Sequence, residues 1–420
     1  MNFTKKIVII SFLLIGWIIK VQAQDAAPRI PQTNIDSSVL QKKDPHPAIP
    51  RTDVIDVLTN VLHIHHTGRT DTGGKVHDDM HVAIVPALGY TMLTGFAGIV
   101  AANAVFTTDE DTQSNLSNIL TSITYSQYKQ MIFPIQSNIW SKGNLYNIST
   151  DWRYLQYPSY TYGLGGKTKL NRGYSIDYSY VRLYQTVSRH IVSGLYAGLG
   201  YDYDYLWNIR EIDPPAGKKT GFEKYGFSST EVASGITASL LFDSRQNPVN
   251  PDQGYYAHIV YRPNFTFLGS SSDWQSLQID LRRYIRLSSS SENVLAFWSF
   301  DWFTLHGHPP YLLLPATGWD PYNNTGRGYV QGRFRGKNML YLESEYRFGI
   351  TRNGLLGGVL FANAESFSQP RSGYFDVIAP GYGLGLRLKL NKFSKTNLAL
   401  DYGFGTQGSR GFAVNLGEVL

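Results

Sequence analysis

Cysteine is absent from all 420 residues of the chain. That excludes a disulfide framework, a thiolate metal centre and a lipid-carrying cysteine after a leader. Long hydrophobic runs are missing too: no apolar stretch reaches the ~18 residues that a membrane-crossing helix needs. Nor does one sign of charge dominate. Lys+Arg number 38 against 32 Asp+Glu, a net charge of +6. Such a balance suits the neighbourhood of anionic lipid and does not call for nucleic acid. Histidines cluster only at His63, His65, His66, His77 and His81, and their spacing matches no metal-ligand pattern. The sequence sets out no nucleophile–base pair and no convergent acidic group. The chain is therefore expected to carry no catalytic residue, no metal and no cofactor, and not to be an enzyme.

What the chain has in abundance is aromatic residues and glycine, with 29 Tyr and 40 Gly. With modest overall hydropathy, that composition favours strands over helices. At the N-terminus Lys5 and Lys6 precede an apolar run from Ile7 to Ile19, and Val21-Gln22-Ala23 offers small residues for cleavage. Residues 1–23 thus read as a secretory signal peptide, and the run is too short to span a bilayer. An exported chain of this composition suits a transmembrane β-barrel, whose strands need one apolar face and whose rims carry aromatic girdles.

Residues 24–80 are polar and punctuated by Pro28, Pro31, Pro45, Pro47 and Pro50. They read as an extended periplasmic leader. Within it Thr52 or Asp53 is placed to cap a short helix with Val54, Val57, Leu58 and Val61 on one face. From His81 to the end the pattern has period two. Leu384, Leu386, Leu388 and Leu390 alternate with Gly385, Arg387 and Lys389, and Leu398, Leu400, Tyr402 and Phe404 alternate with Ala399, Asp401 and Gly403. A charged face that recurs in strand after strand predicts a polar lumen, with the Leu/Tyr face toward lipid. Residues 81–420 are expected to form an all-β, transmembrane antiparallel barrel of about 16 strands. Short links at 141–144, 288–292, 352–354 and 391–395 should occupy one rim. Long ones at 157–172, 208–228 and 306–336 should occupy the other.

The longest link is rich in Gly and Pro and carries Gly326-Arg327-Gly328-Tyr329. A loop of this length inside a compact architecture is usually functional. The stretch Thr325-Gly326-Arg327-Gly328-Tyr329 resembles the Arg-Gly-aromatic motif of the BamA/TamA family, the bacterial surface antigen superfamily. The segment from Phe242-Asp243-Ser244-Arg245 through Pro251 and Gly254 resembles that family's periplasmic turn. Leu342 to Phe348 resembles the strand after its loop, and Gly383 through Gly405 its last strands. Three positions depart from the family pattern: Gly326 replaces a branched apolar residue, Asn363 replaces a charged one, and Leu420 replaces a terminal aromatic.

The resemblance implies a lumenal loop between strands eleven and twelve, and Arg327 meeting the inward acid Glu345, with Asn363 on the neighbouring strand. Residues 24–80 are too few for the family's usual POTRA domains, so a barrel-only member is expected. Pro86, in the first strand, lacks a ladder donor and is expected to mark a labile seam with the last strand. The implied setting is the bacterial outer membrane, with outer-membrane lipid and nascent outer-membrane protein clients as partners. The implied function is help in inserting or translocating proteins, or lipids. The alternative is a passive channel or a structural barrel.

Overall fold

The structure, a computed structural model, describes residues 51–54, 56–57, 80–91, 95–109, 114–214, 219–226, 228–288, 291–392 and 395–420. The chain divides into two units, Met1–Arg51, of which only Arg51 is described, and Thr52–Leu420, which holds every element below. The expected signal peptide and the histidine cluster up to His77 lie outside the described residues, and of His81 only the backbone is described.

Alternating sequence becomes strand throughout. The strands are β1 (His81–Thr91), β2 (Gly95–Phe106), β3 (Ser117–Ser126), β4 (Met131–Trp140), β5 (Tyr146–Gln156) and β6 (Ser159–Thr161). Next come β7 (Tyr174–Val192), β8 (Leu195–Ile212), β9 (Glu231–Asp243), β10 (Gly254–Asn264), β11 (Trp274–Arg286) and β12 (Val294–Gly307). The last are β13 (Asn338–Gly349), β14 (Leu356–Phe367), β15 (Ala379–Asn391), β16 (Thr396–Phe404) and β17 (Arg410–Leu416). All lie in a single sheet, and apart from β5 and β6 each pairs antiparallel with the strands before and after it. Both β5 and β6 pair with β7, so they share one position, interrupted near Pro158. The meander therefore has the 16 positions expected. It curls into an antiparallel barrel that brings β1 beside β17. Among the described residues the ladders run from β1–β2 to β16–β17, and none joins β1 to β17.

The period-two pattern sorts side chains as predicted. On β15 and β16, Leu384 and Leu386 are exposed and Leu398 and Leu400 half-buried, while Arg387, Ala399 and Asp401 are buried. On β7 the outward apolar residues Val181, Leu183 and Val187 lie between Ser179 and Arg189. That span, at ~3.3 Å per residue and ~40° tilt, is about 25 Å high, the height of a hydrocarbon band. Level with Ser179 stands Trp207, whose ring stacks on Tyr205 at 4.9 Å. Beyond it the outer face turns polar with the Asp177–Arg210 ion pair. Such a band of exposed apolar residues, edged by aromatics and then charge, fits lipid rather than water.

Three details differ from the sequence reading. Alternation alone predicts strands over 173–187 and 190–207 with a turn between them; instead β7 continues to Val192 and reverses at Ser193 and Gly194, with φ of 37° and 78°. That left-handed pair matches the natural twist of a two-residue hairpin. Link lengths separate less cleanly than expected. The rim with the long loops also has the tight link 127–130, and the opposite rim has the longer link 244–253. Finally, the last strand stops at Leu416. Gly417 (φ 98°) turns the chain inward, and Val419 and Leu420 are buried.

Candidate functional site in the barrel lumen

The link 308–337 between β12 and β13 folds back into the barrel and is buried over most of its length. It carries its own framework. Ala316 bridges Arg335 as an isolated β pair, and Gly336 N–H donates to Pro315 O at 3.0 Å. The Asp320 carboxylate accepts the N–H groups of Asn324 (2.9 Å) and Thr325 (2.7 Å), closing a tight turn. The loop is thus shaped before it meets the wall. Thr317 Oγ1 then donates to Glu365 on β14 at 3.0 Å.

Two glycines let the tip approach the wall. Gly326 and Gly328 have φ of 77° and 102°, a region that disfavours side chains. The wall matches them with a lane of inward glycines on β15 and β16. A Cβ on Gly403 would lie 2.6 Å from Gly328 N, and one on Gly381 would lie 2.8 Å from Arg327 O. On Gly383 and Gly385 it would strike Phe361 and Asp401. The missing side chains are what allow loop, ring and carboxylate to share the space.

Into this lane Arg327 reaches with its side chain 5% exposed. Its Nη1 donates to Asp401 Oδ2 on β16 at 2.9 Å, and its Nη2 to Glu345 Oε2 on β13 at 2.5 Å. Glu343 on β13 takes the Nη2 as well, and its second oxygen stands 3.4 Å from Nε. The Phe361 ring lies 3.8 Å below the guanidinium carbon, a favourable seat for a cation. Burial alone would lower the Arg327 pKa; Glu343, Glu345 and Asp401 outweigh it and hold the group well above its ordinary value.

The cluster continues toward the opposite rim. Arg347 Nε donates to Glu345 (2.7 Å), its Nη1 to Pro251 O (2.9 Å) and its Nη2 to Leu420 O (2.7 Å). Arg387 Nε donates to Glu418 at 2.7 Å and its Nη1 to Asp401 at 2.6 Å. Arg327, Arg347 and Arg387 thus face Glu343, Glu345, Asp401 and Glu418, a nearly balanced network in which each charge has a partner.

The sequence-predicted residues come together, with Pro86 the exception. Glu345 meets Arg327 as expected. Tyr329 is buried, its hydroxyl donating to Pro380 O (2.6 Å) and accepting Thr406 N–H (2.9 Å). Asn363 Nδ2 donates to Arg327 O at 2.9 Å, so the neutral residue serves the loop backbone where a carboxylate would not. Pro86 stands apart, exposed on the outer face of β1 opposite Val100. It does lie on β1, which has no ladder to β17 among the described residues, but proline alone does not mark an edge in this sheet, since Pro134, Pro263 and Pro380 lie in the interior strands β4, β10 and β15. At Pro134 the β3–β4 ladder skips from Thr121–Ile135 to Thr124–Ile132, which removes the need for its donor. Sequence reasoning missed Asp401, Glu343 and Phe361 as direct partners of Arg327, and Glu418 altogether. The inward parity of Glu343 and Asp401 was the available signal.

A model of the Omp85 superfamily domain matches residues 140–419. No curated protein sequence matches the chain. Among solved structures, BamA from Haemophilus ducreyi lacking POTRA domains 1–3 is similar with a TM-score of 0.51 and 13% identity, over 81% of this chain and 71% of that one. CdiB from Acinetobacter baumannii is similar with a TM-score of 0.50 and 14% identity, over 81% and 65%. CdiB from Escherichia coli reaches a TM-score of 0.52 at 8% identity, over 80% and 67%. Family and fold together place the barrel in the outer membrane. The chain belongs to the Omp85 superfamily.

Proposed function

We propose that the protein is a non-enzymatic outer-membrane barrel that assists the insertion or translocation of other proteins, or of lipids, at the outer membrane. Its partners are then outer-membrane lipid and nascent outer-membrane protein clients, received after export through the signal peptide. The observation that carries the reading is an asymmetry of the wall. Strands β13 to β16 are braced from inside by the Arg327 network, while β1 and β17 lie side by side without a ladder among the described residues. An unpaired strand edge is a template for another strand. A rigid wall beside it lets the edge open without collapse of the barrel.

A passive channel fits less well. The outer mouth is crossed by bonds between loops: Arg333 to Thr168 O at 2.8 Å, Gly165 N–H to Arg335 O at 2.7 Å, and Leu170 N–H to Gln407 Oε1 at 3.0 Å. A lumenal void of about 310 Å³ is walled by the loop tip and by Gly411 and Ala413 of β17.

The test is photocrosslinking in cells from Ile84 and Leu88 on β1 and from Phe412 on β17. Client adducts at these positions and none at Leu360 on β14 are expected. Adducts at all four alike, or at none, would exclude an assembly role for the seam.

A further inference from the structure

Residues 52–54, 56 and 57 lie along the rim that carries the turns at Asn353 and Lys392, and their bonds tie those two turns together. Thr52 N–H donates to Asn353 O at 3.1 Å, in the turn between β13 and β14. Asp53 is only 2% exposed, and its two carboxylate oxygens have different tasks. Its Oδ1 accepts Asp56 N–H at 2.9 Å, while its Oδ2 accepts Lys392 N–H at 3.0 Å, in the turn between β15 and β16. Asp56 Oδ2 returns to accept Asp53 N–H at 3.0 Å, and the same carboxylate pairs with Lys392 Nζ at 3.1 Å. Two aspartates thus form a reciprocal cap on a helical turn, closed by Val57 N–H to Asp53 O at 3.1 Å. A capping aspartate needs only its own backbone. This one is buried because its second oxygen holds another element.

The two turns belong to β13–β16, the strands that carry Glu343, Glu345, Asn363, Arg387 and Asp401. The 391–395 turn is also joined to the link 244–253, with Asn250 Nδ2 donating to Lys395 O at 3.2 Å. From that link Pro251 O accepts Arg347, Arg347 holds Glu345, and Glu345 holds Arg327. A continuous series of bonded groups therefore runs from the rim to the loop.

We propose that residues 52–57 are a latch: docked on the two turns, they set how firmly the lumenal loop is held, and their release loosens it. The latch and the loop then share one conformational equilibrium across the barrel. The physical warrant is the unbroken series of bonded groups from Lys392 and Lys395 through Asn250, Pro251, Arg347 and Glu345 to Arg327, so that release at the rim removes a restraint on the loop. The proposal is independent of what the barrel assembles, since it concerns the loop's stability and not its clients.

The test is amide hydrogen exchange on the full chain in detergent micelles, followed in peptides from 308–337 and from the two turns. Asp56→Lys and Lys392→Glu each place like charges in contact at the latch, and the double variant restores opposite charge. Each single change is expected to speed exchange of loop amides about tenfold, and the double to return it near the parent rate. Thr52→Pro deletes the N–H that Asn353 accepts without altering charge, and should act in the same direction. Faster exchange confined to residues 52–57 and the turns, with loop amides unchanged, would overturn the proposal. So would acceleration that the charge swap leaves in place, since that is general damage. If a single variant fails to fold, Thr52→Pro decides alone.

Discussion

Replacing Arg327 by alanine removes one guanidinium from a buried site where it meets three carboxylates. Glu343, Glu345, Asp401 and Glu418 would then face Arg347 and Arg387 alone. Breaking one partner of a buried ion pair costs ~3–5 kcal/mol. Two features place this case at the lower end. A carboxylate relieved of its partner can take up a proton. The loop also keeps contacts that do not use the side chain, namely Tyr329 to Pro380, Ser409 to Gly328 O, Asn363 to Arg327 O and Thr317 to Glu365. A loss of about 3 kcal/mol corresponds to roughly a hundredfold rise in the population of the undocked loop. Hydrogen exchange reads that population through the amides of Thr406 and Gly165, which lie outside the loop and donate to the Tyr329 hydroxyl and to Arg335 O of the loop. Arg327→Lys should recover part of the protection, because a compact ammonium keeps the charge but lacks the planar fork that spans Glu343, Glu345 and Asp401. Combined with Glu343→Gln, the alanine variant should show a coupling of about 0.5–3 kcal/mol. Unchanged exchange at those amides, or strict additivity with Glu343→Gln, would refute the reasoning and make Arg327 incidental.

Gly403→Ala should release the loop as Arg327→Ala does, at a cost of about 1–3 kcal/mol, because its Cβ would lie 2.6 Å from Gly328 N. Gly98→Ala, which meets nothing within 4 Å, is the matched control and should be nearly neutral by urea unfolding. Leu400→Arg places a cation on the lipid face and should destabilise by ~2–4 kcal/mol near the bilayer midplane. Ala399→Arg should be no milder: Ala399 is fully buried and sits opposite Arg387 across the ladder. A well-tolerated Ala399→Arg in heat-modifiability assays would show the lumen to be looser than the packing indicates.

How much of this was legible in the sequence depends on the range of the contacts involved. Inside and outside follow from strict alternation, so Arg387 and Asp401 declared their side of the wall. The Gly-Arg-Gly-Tyr tip was legible because left-handed glycines around a long polar side chain mark a close approach. Of the acids Arg327 meets, Glu345 was anticipated and Asp401 was not, because Asp401 stands on β16 and reaches it only through the stagger of β13 to β16. The glycine lane on β15 read as ordinary alternation, since nothing local says that Phe361 and Asp401 need the vacated space. The inward turn after Leu416 depends on Arg347 and Asn324 gripping the last residues from distant elements. Pro86 does stand on β1, the strand with no ladder to β17 among the described residues, but proline alone would not have singled out that edge. A local rule about edges is overridden wherever a ladder skips, as it does at Pro134.

The central claim is that β1 and β17 part while the Arg327-braced wall stays whole. The chain has no cysteine, so paired cysteines between 82–88 on β1 and 411–415 on β17 can lock the seam without competing thiols. Oxidation of a pair that forms in the outer membrane is predicted to abolish assembly of outer-membrane clients, and reduction to restore it. The same cross-link placed between β14 and β15 should have no effect. A protein with its seam fully locked that assembles clients as the unlocked one does would contradict the account.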